Sequence, residues 1–462
     1  MIPDRLQPVL DEVRPLAERF GAAGFRTYLV GGTVRDLLLG RELTRDFDLT
    51  TDAPPDDIER LLVGWADAVW TQGKRFGTIG AKKDGRDLEI TTHRAEAYAP
   101  DSRKPEVRFS DSVEADLSRR DFTVNAMALS LGGEPTLIDP FDGAVDLATN
   151  RLRTPLSPDE SFTDDPLRML RAARFLSGYG LEPDADLIDA VKRLHERLEI
   201  VSAERIRDEL DKLLVVPSPA RGLWFLVDTG LATQFPPELP GLALEQDPIH
   251  RHKDVLAHTI AVVEKTSPRK ILRLAALLHD IGKPKTRSFA SGGRVTFHHH
   301  EVVGARMARD RLNALRYPHD EVEAVTRLVE LHLRFHTYKM GWTDSAVRRY
   351  VRDAGDLLDE LNELTRCDCT TRNERKAQAL ERRMDALEAR ITELRAQEEL
   401  DRIRPNLDGN QVMTHLGLRP GPEIGQALGM LLEARLEEGP LGEEEAYRRL
   451  DAWWATREGS SD

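Results

Sequence analysis

The sequence predicts a multidomain fold, an α/β head followed by all-α segments, and three observations predict it. The chain has 462 residues, about three domains at roughly 150 residues each. Through residue 150, short β-rich runs (Thr27–Val30, Asp46–Thr50, Thr78–Lys82, Asp87–Thr92) alternate with helical patterns, the arrangement of an α/β or α+β domain. From about Asp164 onward the strand signals nearly vanish and long helical periodicities take over, broken at Pro217–Pro219 and Gln234–Pro240.

Hydrophobic residues make up 40% and charged residues 32%, which suits packed cores and excludes a collagen-like or disordered chain. Lys plus Arg number 66 and Asp plus Glu 80, a net charge of −14 that argues against an indiscriminate nucleic-acid binder. Residues 246–375 run the other way, with 23 basic against 18 acidic residues. The two cysteines, Cys367 and Cys369, supply neither a disulfide framework nor a four-cysteine zinc site and read as packing residues. No stretch reaches the ~18 apolar residues of a spanning helix, so the chain is expected to be cytoplasmic, neither secreted nor membrane-bound.

The head opens on Tyr28–Val30, a short apolar strand, followed by Gly31-Gly32. Paired glycines permit a tight turn in which backbone amides approach a phosphate closely, and the helix beginning near Val34 favours an anion at its N-terminus. Arg35, in that first turn, can meet phosphate oxygens with its fork. Asp46 and Asp48 sit two apart in the next strand, so both carboxylates share one face and Phe47 takes the other. Two carboxylates so placed can hold Mg²⁺ ions that activate a hydroxyl and stabilise a leaving pyrophosphate. Glu89, on the Asp87–Thr92 run, is a candidate third carboxylate.

GGTVRD followed by DFDL resembles the class II tRNA nucleotidyltransferase and bacterial poly(A) polymerase family. Three further blocks occur in that family's order: SRRDFTVNAM (Ser118–Met127), DPFDGAVDL (Asp139–Leu147) and TDDPLRMLRAARF (Thr163–Phe175). The resemblance implies a polymerase-β-like head, with Asp46 and Asp48 as catalytic metal ligands. It implies nucleotide binding through Gly31, Gly32, Arg35, Arg120, Asp121, Asp165, Arg168, Arg171 and Arg174. Asp121 and Asn125, at i and i+4, are expected on one helix face. Asp165 reads alone as a helix cap before Pro166. In the family the corresponding pair, here Asp165 with Arg168, imitates a Watson–Crick edge and selects C or A. The third block has Asp164-Asp165 where the family has Glu-Asp, which leaves the matching Asp165 intact. Leu167 and Leu170 are expected in the core.

Gly73–Ile79 (GKRFGTI) resembles CCA-adding members more than poly(A) members, and Tyr98–Val107 resembles a loop those members use in switching from C to A. His93 stands where related sequences carry Phe in T-T-F-R and reads as a packing variant. The implied activity is template-free, Mg²⁺-dependent addition of CCA, or part of it, to tRNA 3′ ends from CTP and ATP. Poly(A) addition and a phosphohydrolase as the main activity are the alternatives.

Ten of the thirteen histidines lie between 246 and 375. ILRLAALLHDIGK (Ile271–Lys283) is an apolar helix ending in His279-Asp280, with Gly282 as a helix stop. A histidine and a carboxylate at a helix end can share a divalent metal. With His258 upstream and Asp368 downstream, the pattern resembles the HD metal-dependent phosphohydrolase family and implies a second divalent-metal site. His300 and His332 resemble positions that some of its members use for another ion. Leu380, Met384, Leu387, Ile391 and Leu394 follow a/d spacing on a long helix expected to pack on its own protein. Leu407–Gly425 resembles the tail of HD-containing nucleotidyltransferases. The expected organisation is a head over 1–155, a helical neck and body over 156–245, an HD domain over 246–375 and a tRNA-contacting tail over 376–462.

Overall fold

The computed structural model describes residues 6–41, 46–94, 109–244, 254–289, 295–338, 342–369, 374–400 and 403–458. The loop expected at Tyr98–Val107 lies outside these residues. Two compact units, Met1–Pro237 and Glu238–Asp462, make up the chain.

The first unit begins with α1 (Gln7–Ala22), β1 (Thr27–Val30), α2 (Gly32–Leu39), β2 (Asp46–Thr51), α3 (Pro55–Leu62), β3 (Ala68–Trp70), β4 (Thr78–Lys83) and β5 (Arg86–Thr92). It continues with α4 (Val113–Ser118), β6 (Ala128–Ser130), β7 (Leu137–Ile138) and α5 (Gly143–Ala148). The seven strands form one mixed sheet in the order β3-β4-β5-β2-β1-β6-β7. β2 and β5 run parallel, while their other neighbours are antiparallel. Period-two alternation sets the two faces. Phe47, Leu49, Leu88 and Ile90 are buried in the core that Leu16, Phe20, Ile58 and Leu62 share from α1 and α3. Asp46, Asp48 and Glu89 occupy the intervening positions and face away from that core.

A helical segment follows: β8 (Arg151–Leu152), α6 (Pro158–Asp164), α7 (Leu167–Tyr179), β9 (Glu182–Pro183), α8 (Ala185–Leu194), α9 (Ala203–Leu214) and α10 (Ala220–Asp228). α6 starts on a capping box, with Ser157 and Glu160 satisfying each other's backbone amides and Pro158 in the first turn. Leu167 and Leu170 are buried, as expected.

The second unit contains α11 (Val255–Lys265), α12 (Lys270–Leu278), α13 (Lys283–Thr286), β10 (Arg287–Phe289), β11 (Val295–Phe297), α14 (His300–Ala314), α15 (His319–Leu331) and α16 (Arg334–Thr337). It ends with α17 (Asp344–Ala354), α18 (Leu358–Asp368), α19 (Glu374–Gln397), α20 (Gly409–Leu416), α21 (Pro422–Glu438) and α22 (Glu443–Glu458). The β10–β11 hairpin has no counterpart in the sequence reading. Its first strand is fully exposed, so it carries no alternating apolar pattern. The a/d residues Met384, Leu387, Ile391 and Leu394 are buried where α19 packs on α17 and α18. Among the described residues no helix is long and apolar enough to cross a membrane.

Candidate active site in the head and metal centre in the helical unit

Register builds the carboxylate strip. β2 and β5 pair in parallel with Asp46 opposite Asp87 and Asp48 opposite Glu89. In-register parallel neighbours point to the same side, so Asp46, Asp48 and Glu89 converge on one face. Burial pushes the Asp48 carboxyl above its usual range and Asp46 adds to the shift, against the pull of Arg120. Glu89 is raised too, by desolvation and then by Asp48 and Asp46. Carboxylates crowded on one face are an arrangement a divalent cation stabilises, so the donor set fits such an ion.

Gly31 leads from β1 into α2 with φ 68° and ψ −135°, a conformation open to glycine. A Cβ there would lie 2.7 Å from Arg120 Nη1 and 3.5 Å from Asp48 Oδ2. The missing side chain therefore lets the Arg120 guanidinium lie against the turn beside Asp48. Arg120 is braced by Asp116, whose Oδ2 is 3.4 Å from Nη2. Asp116 Oδ1 also accepts from the Arg94 amide at 3.3 Å. Asp116 escaped the sequence reading, although its i,i+4 spacing to Arg120 was visible.

Four residues expected at phosphate or ribose have partners within the protein. Arg35 is buried beneath the turn, giving hydrogen bonds to Asp36, Asn125 and Tyr179 and stacking over the Tyr179 ring at 4.1 Å. Its fork packs α2 against the helical segment. Asp121 is buried, with Phe122 N (2.9 Å) and Asn125 Nδ2 (2.9 Å) on Oδ1 and Arg171 Nε (2.7 Å) and Nη2 (2.6 Å) on Oδ2. A carboxylate so occupied has no acceptor to spare for a ribose hydroxyl. The expected Asp121–Asn125 contact exists, but across a 3₁₀ turn (Thr123–Asn125) and not along an α-helix. Arg171 is taken up by Asp121, and Arg174 pairs with the buried Glu209 of α9. The ridge of arginines on α7 is thus largely neutralised from within, by a glutamate the sequence reading missed.

Asp165 and Arg168 lie at the start of α7. The N-cap of α7 is Pro166 and not Asp165 as expected; Asp165 Oδ1 accepts from Leu167 N at 3.2 Å in the turn that precedes the helix, while Oδ2 receives Arg205 Nη2 at 2.7 Å. Arg168 Nη1 donates to Ser161 Oγ at 2.8 Å, and its Nη2 donates to the Arg119 carbonyl.

In the second unit, His258, His279 and Asp280 place ligand atoms within 4.8 Å of one another, and so do Asp280, His300 and His332. Asp368 joins the first set, with Oδ1 2.9 Å from His258 Nε2 and 3.6 Å from His279 Nε2. The four expected ligands are brought together, and Asp280 is common to both sets. Backbone carbonyls three residues earlier fix the rings: His279 Nδ1 to Ala276 (2.8 Å), His300 Nδ1 to Phe297 (2.8 Å) and His332 Nδ1 to Val329 (2.6 Å). With Nδ1 donating, Nε2 is the atom turned inward, the outer-shell pattern of metal-binding histidines. The Nε2 atoms of His300 and His332 are 3.3 Å apart, a separation that suits two lone pairs shared with a cation. Burial lowers His332, with help from His279, to about 3. Against burial, Asp280 and Asp368 raise His279 to about 10. Lys283 Nζ reaches Asp280 Oδ2 at 2.6 Å.

Gly282 does not stop a helix: its φ is −75° and it opens α13. A Cβ there would lie 2.2 Å from the His300 carbonyl, so glycine is required by the close approach of α14. Cys367 and Cys369 are free and half-buried, and burial raises the Cys367 thiol to about 11. His93 is buried, its Nδ1 2.8 Å from Thr50 Oγ1.

Comparison with known proteins agrees with this anatomy. Residues 27–153 match the poly(A) polymerase head domain, 180–242 the probable RNA and SrmB-binding site of polymerase A, and 255–394 the HD domain. An A-adding tRNA nucleotidyltransferase of Deinococcus radiodurans is 34% identical over 445 residues, 92% of this chain and 95% of that protein. The chain belongs to the tRNA nucleotidyltransferase family. Within the family, the CCA-adding enzyme of Bacillus pumilus is 41% identical over 229 residues, 49% of this chain and 54% of that enzyme. The match to that enzyme thus spans about half of either length. The fold recurs in the Bacillus stearothermophilus CCA-adding enzyme in complex with CTP, at 24% identity and a TM-score of 0.70, covering 99% of this chain and 100% of the other.

Proposed function

We propose that this chain adds CCA, or part of it, to tRNA 3′ ends from CTP and ATP, without a nucleic-acid template and with release of pyrophosphate. The observation that carries the reading is the strip of Asp46, Asp48 and Glu89 beside the Gly31 turn and Arg120, in a chain matched over 92% of its length by a tRNA nucleotidyltransferase. The tRNA terminal hydroxyl attacks the α-phosphate, loses its proton, and the bond to the β-phosphate breaks. Asp46 and Asp48, with Glu89, would hold divalent ions, here assigned as Mg²⁺, which supply Lewis acidity to the hydroxyl and to the leaving pyrophosphate. Arg120, aimed by Asp116, meets phosphate charge. Most of the rate comes from positioning and charge neutralisation.

Asp165 and Arg168 read the base. Cytosine and adenine both present an amine beside a ring-nitrogen acceptor, while uracil and guanine present a carbonyl beside an N–H. An acceptor-only carboxylate next to a donor-only guanidinium matches the first pair. The two residues thereby exclude U and G.

Purified protein, tRNA lacking its CCA end, and CTP and ATP supplied separately and together test the reading. Ordered incorporation supports it, and long A-only tails without C would overturn it. The full-length relative favours a second reading, addition of the terminal A alone. In that case only tRNA already ending in CC is extended, and only by ATP.

In the second unit, His258, His279, Asp280 and Asp368 would hold one divalent ion, and Asp280, His300 and His332 form a second ligand set. A phosphohydrolase activity of this centre is an additional reading, tested by phosphate release from nucleotides in Asp46→Ala/Asp48→Ala enzyme. The four-part division at 155, 245 and 375, a tRNA-contacting tail and a cytoplasmic location belong to the same proposal.

A further inference from the structure

Arg205 is outside every motif singled out in the sequence, yet it touches the proposed base-reading carboxylate. It lies in the first turn of α9, forty residues from Asp165, and its Nη2 is 2.7 Å from Asp165 Oδ2. The two oxygens of Asp165 are thereby distinguished. Oδ1 is tied to the Leu167 amide at 3.2 Å, and Oδ2 is held by Arg205. The plane of a carboxylate is set by broad, soft torsions, so two contacts on opposite oxygens fix what one would leave free. Arg168 needs no such help, being held by Ser161 at 2.8 Å and by the Arg119 carbonyl.

We propose that Arg205 is a positioning residue for nucleotide selection, holding the Asp165 carboxylate in the plane where Oδ2 accepts the amine of C or A. The inference rests on the reading that Asp165 and Arg168 form the base-recognition edge. An oxygen holding one arginine N–H retains a second lone pair for the base amine, so Arg205 can stay in place while nucleotide is bound. Without it the carboxylate turns about its single anchored oxygen, and the geometric mismatch that rejects U and G is relaxed. The Arg205 side chain is 53% exposed, and exposed ion pairs add little to folding stability, so its removal leaves the fold intact.

The test is single-nucleotide incorporation onto tRNA ends awaiting C or A, with CTP, ATP, UTP and GTP, using wild type, Arg205→Ala and Arg205→Lys. Each variant's thermal unfolding is measured alongside. In Arg205→Ala the preference in kcat/KM for the correct nucleotide over UTP and GTP is expected to fall about fivefold. The loss should lie mainly in KM for the correct nucleotide, with Arg205→Lys recovering part of it. An active wild type whose selectivity in Arg205→Ala stays within about twofold, or a variant that loses all four nucleotides equally, overturns this inference alone. A wild type that incorporates nothing overturns the proposed function and this inference with it.

Discussion

Arg171 and Asp121, fifty residues apart in sequence, meet through two contacts: Nε at 2.7 Å and Nη2 at 2.6 Å, both to Oδ2 of a buried carboxylate. Together with Asn125 and Arg168, Arg171 overcomes burial and holds the Asp121 carboxyl far below its usual range. Removing one partner of such a pair strands a buried charge. Arg171→Met is therefore expected to lower stability by about 3 kcal/mol in urea unfolding. Adding Asp121→Asn should restore a large part of that loss.

The carboxylate strip predicts opposite effects on stability and activity. Asp46→Asn and Asp48→Asn should each lower nucleotide incorporation about 100-fold or more, and Glu89→Gln less. Because desolvation and mutual repulsion raise Asp48 and Glu89, each neutralisation should leave Tm unchanged or higher in metal-free buffer. A fall in Tm parallel to activity would mean these side chains hold the sheet together and do no chemistry.

Gly31→Ala meets two obstacles, a positive φ and Arg120 Nη1 at 2.7 Å from the new methyl. The backbone strain alone is about 1–3 kcal/mol. The variant should lose affinity for nucleotide triphosphate, measured by titration calorimetry, more than it loses secondary structure by circular dichroism. Gly85→Ala, also at positive φ but in open space, is the control for strain without displacement.

His93 supplies a pH effect. Thr50 Oγ1 donates to Thr91 O at 3.1 Å, so it accepts from His93 Nδ1, and Nε2 has no partner among the described residues. Burial lowers the imidazole below its ordinary 6.5. A depressed histidine means that below pH 6.5 the unfolded chain takes up a proton that the folded chain refuses, so stability falls as pH falls. Thermal unfolding of the wild type should weaken on acidification from that pH, and His93→Phe should flatten part of the slope. An unchanged slope would place the titrating group elsewhere.

The second unit should bind divalent metal independently of the head. Elemental analysis of purified protein is expected to find metal lost in His279→Ala, with only part of it lost in His332→Ala. Nucleotide incorporation should survive both substitutions. Full metal content in His279→Ala would remove the proposed ligand set.

Much of this was legible in the sequence because it is local. Asp46 and Asp48 lie in one strand, Gly31-Gly32 in one turn, and His279-Asp280 at one helix end, so period and turn chemistry reveal them. The internal partners of Arg35, Asp121, Arg171 and Arg174 were not legible because they lie far along the chain, 144 residues away for Tyr179 and 35 for Glu209. A guanidinium looks the same in sequence whether it waits for a phosphate or is already spoken for by a buried carboxylate. Arg205 was invisible for the same reason, since its partner Asp165 lies forty residues away, whereas Asp116 was four residues from Arg120 and was overlooked. Gly282 was noticed for the wrong property, because the helix that crowds it begins eighteen residues later.

The in-register pairing of β2 with β5 has a consequence for how the enzyme fails. A slip of one residue would turn every side chain of the strand over, sending Asp46 and Asp48 into the core and Phe47 to the surface. A folded head with a misassembled carboxylate strip is thus excluded by the same hydrophobic burial that makes the head fold. Heat inactivation of nucleotide transfer should track the melting of the sheet, with no populated state that is compact yet inert.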